Sequence, residues 1–240
     1  MYTHSSHLCI CIVGAQVVGE DSQMLAALLN PGQSIMAEPG AMLSTSSFIE
    51  PSIDCGSAGL AVQRCMCAGE SCCRTHYTNS TSGQQHITLS PGYPAKIVAL
   101  KMDQYPNGFY LSPGAWMAGV GSSQEFSVKC APSFLVGCCG VGSCCITLFK
   151  GSGDAFLNAG GTVLQRTLSA GEKVIVDTHA LVAWETTVTM DVKCVGGWKM
   201  MCCGNSGMYN TELTGPGLVI VHSMGVERAR LAFMRASVGQ

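Results

Sequence analysis

The chain has 240 residues, enough to bury an apolar core without the help of disulfide staples. Charged residues make up 12% of it and hydrophobic residues 47%, which excludes an intrinsically disordered chain. The 13 Lys and Arg residues against 15 Asp and Glu residues give a net charge of −2, so the chain as a whole does not attract nucleic-acid phosphates.

The amino-terminal segment predicts an intracellular protein with no clear targeting segment. Residues 1–14 contain no Lys or Arg and lack the long apolar run of a secretory signal. The sequence also lacks a run of about 18 apolar residues, which a membrane span requires. We therefore expect a reducing compartment, cytoplasmic or mitochondrial, in which most of the 15 cysteines are free thiols.

The spacing of the cysteines favours packing over metal binding. The Cys-x-x-Cys pattern of zinc and redox motifs does not occur. Neighbouring residues on a strand point to opposite faces, so adjacent cysteines do not readily chelate one ion. We interpret most of them as small buried apolar residues and keep metal buffering and thiol-based sensing as alternatives. The close pairs are Cys9/Cys11, Cys65/Cys67, Cys72/Cys73, Cys138/Cys139, Cys144/Cys145 and Cys202/Cys203.

Hydrophobic periodicity predicts an all-β chain. Residues 187–192 alternate polar and apolar side chains, while residues 174–176 and 218–221 are short apolar runs near glycines. Such stretches recur about every 8–12 residues with turn signals between them, which is typical of a sandwich or barrel-like fold. The one helix that we predict is short and lies at residues 226–236.

Two internal similarities predict a repeated architecture. Residues 138–161 match residues 202–225 without a gap, and residues 29–41 match residues 168–180. We therefore expect a single domain, residues 1–240, made of about three similar β repeats that share a continuous core. The approximate repeat boundaries are 8–105, 106–165 and 166–240.

A tetrapeptide of the form Leu-x-Pro/Ala-Gly occurs four times, beginning at Leu29, Leu89, Leu111 and Leu168. Proline at the first corner and glycine at the second are typical of a type II turn, whose second corner needs a positive φ. We predict structural turns at Gly32, Gly40, Gly92, Gly151, Gly153, Gly171, Gly215 and Gly217.

An ordered series of short motifs covers nearly the whole chain. It comprises residues 29–32 (LNPG), 37–42 (AEPGAM), 64–71 (RCMCAGES), 89–92 (LSPG), 151–153 (GSG), 176–177 (VD) with 183–184 (AW), and 215–217 (GPG). In this order, the set resembles the altered-inheritance-of-mitochondria 24 family.

The resemblance implies an all-β fold similar to the tryptophan RNA-binding attenuation protein, with β-sandwich or β-roll units repeated around a pseudo-symmetry axis. It also implies homo-oligomers, with a trimer as the expected size, and an association with mitochondrial inner-membrane organisation in eukaryotes. It brings no enzyme activity with it. This sequence departs from the family in carrying Cys in several strands, and no Arg-rich transit peptide precedes the domain.

The best candidate metal ligands are Glu38, Asp177 and His179. Asp177 and His179 are two apart on a predicted strand and would share a face, and the internal similarity places Glu38 at the position that matches Asp177. Two carboxylates and an imidazole could hold a divalent ion in a cupin-like metal-dependent enzyme. We favour the alternative that each carboxylate caps a turn, and we predict no metal and no cofactor.

The remaining motifs point away from catalysis and from nucleic acid. No Gly-x-Ser-x-Gly elbow and no phosphate-binding loop occur. The lysines are scattered and aromatic residues are only 7%, which disfavours RNA binding. We therefore predict a non-catalytic protein that self-associates and acts as a scaffold or binding module. The alternatives are the metal-dependent enzyme and an RNA- or thiol-linked binding protein.

Overall fold

The computed structural model describes residues 14–56, 71, 73–121, 123–130, 145–194, 209–226, 228–229 and 233–234. Within these ranges the chain is built from 19 short strands and confirms the predicted all-β class. The strands are β1 Ala15–Val18, β2 Met24–Leu29, β3 Ser34–Ala37, β4 Met42–Thr45, β5 Ile49–Asp54, β6 Arg74–Asn79, β7 Gln85–Leu89, β8 Lys96–Lys101, β9 Phe109–Leu111, β10 Trp116–Val120, β11 Glu125–Cys130, β12 Cys145–Lys150, β13 Asp154–Ala159, β14 Val163–Leu168, β15 Lys173–Asp177, β16 Leu181–Glu185, β17 Thr189–Cys194, β18 Tyr209–Thr214 and β19 Gly217–His222.

Helical conformation is confined to short segments of the described chain. Turns of 3₁₀ helix lie at Met102–Gln104 and Thr178–Ala180. Near the carboxyl terminus, residues 226, 228–229 and 233–234 are helical, in agreement with the helix predicted there. Among the described residues, no helix has the length and apolar character needed to cross a membrane.

The strands pair antiparallel and form four sheets in the described part of the chain, here called sheets I to IV. The strand orders are β1-β2-β7-β4 in sheet I, β5-β6-β3-β10-β13-β8 in sheet II, β11-β12-β9-β16-β19-β14 in sheet III and β15-β18-β17 in sheet IV.

Successive sheets pack face to face over buried apolar side chains. In the described residues three clusters of such side chains lie between sheets I and II, II and III, and III and IV. Pairs drawn from the two flanking sheets are Leu25 and Ile35, Leu157 and Phe109, and Trp184 and Leu213. The four sheets therefore form a stack in which sheets II and III are covered on both faces.

The four Leu-x-Pro/Ala-Gly turns all carry the chain from one sheet to another. They join β2 to β3, β7 to β8, β9 to β10 and β14 to β15. Gly32, Gly114 and Gly171 have φ values of 74°, 72° and 76°, as a type II turn requires. In the first of these turns the Gln33 N–H donates to the Asn30 carbonyl at 2.9 Å, and equivalent bonds close the other two at 3.1 and 3.0 Å.

Gly92 does not follow this prediction, because it has no positive φ. The preceding Ser90 N–H donates to the carbonyl of Ala41 at 2.7 Å, and Pro94 favours extended backbone at Tyr93. The chain therefore leaves β7 through a series of bends, and the predicted type II turn is wrong at this position. Among the other predicted turn glycines, Gly215 also lacks a positive φ. A positive φ occurs at Gly40, Gly151, Gly153 and Gly217.

The shifts of the two sequence similarities also relate strands of the structure to one another. A shift of 139 residues carries β2 onto β14, and a shift of 64 carries β12 onto β18. A β-bulge interrupts the pairing at the start of β4, β10 and β16, each time after a sheet corner. Residues 64–70, 138–144 and 202–208 lie outside the described residues, and the repeat boundaries stay a prediction.

Candidate functional site

Glu38 lies directly after β3, in the corner that leads to β4. Its backbone N–H donates to the carbonyl of Met117 at 2.8 Å, and its own carbonyl accepts from the Ala41 N–H at 3.1 Å. The carboxylate oxygen Oε2 lies 3.1 Å from Nη1 of Arg74. The side chain that was predicted to cap a turn or bind a metal therefore pairs with a cation of the same chain.

Arg74, the first residue of β6, is almost completely buried, with 2% of its side chain exposed. The guanidinium carbon lies 4.8 Å from the ring centroid of Trp116 and 4.7 Å from that of Phe126. Nη1 also donates to the carbonyl of Ser71 at 3.1 Å. A planar guanidinium suits this position because it can stack on aromatic rings and still pair with a carboxylate.

Cys73 forms a disulfide with Cys55, so the packing role predicted for Cys73 is wrong. Cys55 directly follows β5, Cys73 directly precedes β6, and the last pair of this ladder is Asp54 opposite Arg74. The two cysteines are therefore the next opposed pair, with Cα atoms 3.9 Å apart. The two cysteines are 18 residues apart along the chain, so their proximity could not be predicted from their spacing.

Asp177 ends β15 and caps the 3₁₀ turn that follows. Its Oδ1 accepts the backbone N–H of His179 at 2.9 Å, which is the capping role favoured from the sequence. Its other carboxylate oxygen pairs with the guanidinium of Arg228. Asp177 thus links this sheet corner to the carboxyl-terminal segment.

His222, at the end of β19, is buried and contacts the same corner. The Gly160 N–H donates to Nδ1 at 3.1 Å, so the proton is on Nε2, which lies 3.3 Å from the carbonyl of His179. Burial lowers the pKa of His222, and the nearby charge of Arg228 acts in the same direction. His179 therefore enters this network through its backbone and His222 through a neutral ring.

The three metal candidates do not form a ligand cluster with neighbouring side chains. Within the described residues, no group of three His, Cys, Asp or Glu side chains is placed to hold a metal ion. Glu38 and Asp177 are each occupied by an arginine. What the corners offer is a set of ion pairs and turn caps that fix the connections between sheets.

The outer face of sheet I carries exposed apolar side chains. Along β2, Leu25 and Leu29 point into the core, whereas Met24 and Leu28 alternate to the other face and are 37% and 46% exposed. On β4, Leu43 is 59% exposed. Apolar side chains that are exposed together on one face of a sheet indicate an interaction site in a folded protein. The residues of this outer apolar face are Val18, Met24, Leu28 and Leu43.

Sequence reasoning singled out neither this face nor Arg74. Residues 24–29 are all apolar, so the sequence does not distinguish the buried side of β2 from the exposed side. Arg74 directly follows the Cys-rich stretch that ends at residue 73, and no local sequence pattern predicts that its side chain is buried. The one signal that could have found it is that basic residues are rare in this weakly charged chain.

The fold and its corners define an all-β protein of stacked antiparallel sheets with an exposed apolar face. A model of the family described as Mitochondrial biogenesis AIM24 matches residues 15–224, and the chain belongs to this family. The resemblance seen in the ordered sequence motifs is thereby confirmed.

The chain is also similar to a solved protein structure. The X-ray crystal structure of protein SPYM3_0169 from Streptococcus pyogenes is similar with a TM-score of 0.70 at 21% sequence identity. The similarity covers 92% of this chain and 98% of that one, so it shows the same fold over nearly the full length of both. No curated protein matches the chain.

Proposed function

We propose that the protein is a non-catalytic scaffold or binding module that acts by associating with copies of itself, as a homo-oligomer such as a trimer. The observation that carries this proposal is the outer apolar face of sheet I, which a single chain leaves in water. Covering such a face in a symmetric assembly removes apolar area from solvent.

The polar groups of the described corners support a structural role. The carboxylates of Glu38 and Asp177 are paired with Arg74 and Arg228, and His222 is held as a neutral ring. A general acid or base needs to reach a substrate proton, and these groups instead contact their own backbone and side chains. Their arrangement supports rigid connections between sheets.

The family description supports a place for the protein in mitochondrial biogenesis. We propose that it serves mitochondrial membrane organisation from a cytoplasmic or mitochondrial location. Cell fractionation followed by detection of the endogenous protein tests this location, and recovery only from secreted material would contradict it.

Sedimentation velocity at micromolar concentration tests the proposed self-association. We expect an oligomer for the unaltered chain and a smaller species when Met24 and Leu28 are both changed to Ser. Ile53, which is 74% exposed on β5 and lies off the outer apolar face, provides the matched control Ile53→Ser. An unaltered chain that sediments only as a monomer would contradict the proposed function.

A further inference from the structure

Two joints between strands build the large sheets. In sheet II, β3 pairs with β10, and Ala37 lies opposite Ala118. In sheet III, β9 pairs with β16, and Leu111 lies opposite Ala183. The corners concerned join β3 to β4, β9 to β10 and β15 to β16. In both joints, the strand before one of these corners pairs with the bulged strand after the next one: β3 with β10, and β9 with β16.

The same two kinds of strand lie at the open edges of sheets I and IV. β4 begins with a bulge after a corner and is an edge of sheet I, whereas β15 leads into a corner and is an edge of sheet IV. The order β15-β18-β17 matches β3-β6-β5 and β9-β12-β11, and the order β4-β7-β2 matches β10-β13-β8 and β16-β19-β14. In the described part of the chain, sheets I and IV thus correspond to the two separated halves of a third composite sheet.

One position of the bulged strands differs in burial between sheet I and the two large sheets. Met117 and Val182 are the second residues of the bulged strands β10 and β16, and each is 1% exposed. Leu43 holds the same position in β4 and is 59% exposed. The position is therefore apolar in all three strands. Met117 and Val182 are buried in the clusters between stacked sheets, whereas Leu43 lies on the outer face of sheet I, which no described sheet covers.

The residues at the two open edges match those of the closed joints position by position. In the closed joints, the N–H of Glu38 donates to Met117 at 2.8 Å and that of Ser112 donates to Val182 at 2.9 Å. Asp177 is the residue of β15 that matches Glu38 and Ser112. The third bond of this series would join the Asp177 N–H to the carbonyl of a Leu43.

Alternation of the ladders shows which backbone groups face outward. The Ser46 N–H donates to His86 on β7 at 3.0 Å, so the neighbouring Thr45 directs its N–H to the open edge. The Gly215 N–H donates to Glu172 at 2.9 Å, so along β15 the backbone groups of Ile175 face away from β18. Thr45 and Ile175 occupy the positions of Gly119 and Met36, which lie opposite each other in the joint of sheet II.

The last core cluster is also less complete than the other two. The facing pair Leu25 and Leu89 is fully buried, and so is the matching pair Val98 and Leu157. The third matching pair, Leu164 and Val221, is only half-buried. Because sheet IV has three strands in the described part of the chain where sheet II has six, the described core between sheets III and IV lacks half of one layer.

We infer that the open edge of β15 in one copy pairs antiparallel with the open edge of β4 in the next copy, so that sheets IV and I join into one seven-stranded sheet. The register places Thr45 opposite Ile175 and Ser44 opposite Val176. The outer apolar face of sheet I then packs on the half-buried core of the preceding copy. This inference rests on the proposed self-association and assigns its interface.

A second copy of this chain is the occupant because the chain already forms this joint twice within itself. Sheets I and IV are the first and last sheets of the stack, and Leu43 and Ile175 are both largely exposed. The two surfaces of the joint differ, so the contact is heterologous and closes into a ring when the rotation between copies allows it.

Two proline variants test the joint without removing a ladder bond inside the chain. Thr45→Pro and Ile175→Pro each remove an outward N–H, a change that an edge strand tolerates. Val17→Pro is the matched control, because Val17 lies on β1 at the other edge of sheet I. The bond from the Leu28 N–H to the Gly14 carbonyl shows by alternation that the Val17 N–H also points away from the sheet.

We expect Thr45→Pro and Ile175→Pro each to sediment as smaller species than the unaltered chain, while Val17→Pro keeps the original size. Each variant retains one intact edge, so an equimolar mixture of the two should form a heterodimer through the β15 edge of Thr45→Pro and the β4 edge of Ile175→Pro. Circular dichroism confirms that the variants keep the β fold.

The outcomes separate this inference from the proposed function. If the unaltered chain is a monomer, both are contradicted. If it is an oligomer whose size neither proline variant changes, self-association stands and the edge joint is wrong. A mixture that stays monomeric also overturns the joint, because a heterologous contact must be restored by complementary edges.

Discussion

Arg74 holds the carboxylate of Glu38 from inside the fold, with Nη1 and Oε2 3.1 Å apart. The arginine side chain is 2% exposed, whereas that of the glutamate is 28% exposed and reaches solvent. The buried guanidinium of Arg74 is therefore the charge that needs its partner. The loss of stability on breaking the pair should depend on which of the two side chains is removed.

Glu38→Gln should lower the free energy of unfolding by about 1–3 kcal/mol, because it leaves the buried guanidinium without its counter-charge. Guanidinium chloride unfolding measures this loss. Glu172→Gln is the matched control, since Glu172 pairs with Arg166 where both side chains are about one-third exposed, and it should cost less than about 1 kcal/mol. Equal effects of the two variants would contradict the role assigned to burial.

Cys55→Ser should destabilise the oxidised protein by about 3 kcal/mol, since the disulfide closes a loop between positions 18 residues apart. The unfolding midpoint of the unaltered protein should fall to that of the variant when a reductant is added. Cys73→Ser should behave like Cys55→Ser. A midpoint that does not respond to reductant would show that the bond is absent in solution.

Stability should fall on acidification because of His222. Burial lowers the pKa of this residue in the folded protein below its ordinary value of 6.5, so the folded state binds the proton less well than the unfolded state. The stabilising contribution is present above pH 6.5 and is lost as the pH falls through the folded pKa.

Thermal unfolding at pH 7.5 and at lower pH measures this loss. His222→Asn keeps an acceptor near Nδ1 for the Gly160 N–H and removes the titration, so its unfolding temperature should depend less on pH. A variant with the full pH dependence of the unaltered protein would assign the effect to another group.

Gly153→Ala should be much more destabilising than Gly32→Ala, although both glycines have positive φ, at 83° and 74°. A Cβ on Gly153 would lie 2.1 Å from the carbonyl oxygen of Val120, whereas a Cβ on Gly32 meets no atom within 4 Å. Gly32→Ala should therefore cost only the backbone strain, about 1–2 kcal/mol. Denaturant unfolding of the two variants under the same conditions compares them, and similar losses would contradict the close approach at Gly153.

The class of fold could be predicted from the sequence because it is encoded locally. The apolar runs at residues 174–176 and 218–221 lie within β15 and β19, and the alternating run at residues 187–192 overlaps β17. β17 starts later than predicted because the Val188 N–H donates to the Glu185 carbonyl at 2.9 Å and closes a turn there. Local pattern thus fixed the strands, and a neighbouring turn shifted one boundary.

The side-chain contacts at the sheet corners could be predicted only in part. The cap at Asp177 follows from a short-range rule, since the acceptor and the donor are two residues apart. The partners of Glu38 and Cys55 are Arg74, the first residue of β6, and Cys73, directly before it, and no spacing rule connects them. Long-range register, which decides such partners, is set by the packing of whole sheets.

The joint between β3 and β10 also bears on how the chain folds during its synthesis. Ala37 pairs with Ala118, so one flank of β3 stays unpaired until the ribosome has synthesised β10. Strand partners this remote in sequence raise contact order and slow folding, because the entropy of closing the intervening loop is lost before the pairing is gained. During that interval the flank of β3 is able to capture β10 of a neighbouring nascent chain, and crowded polysomes should therefore yield domain-swapped species.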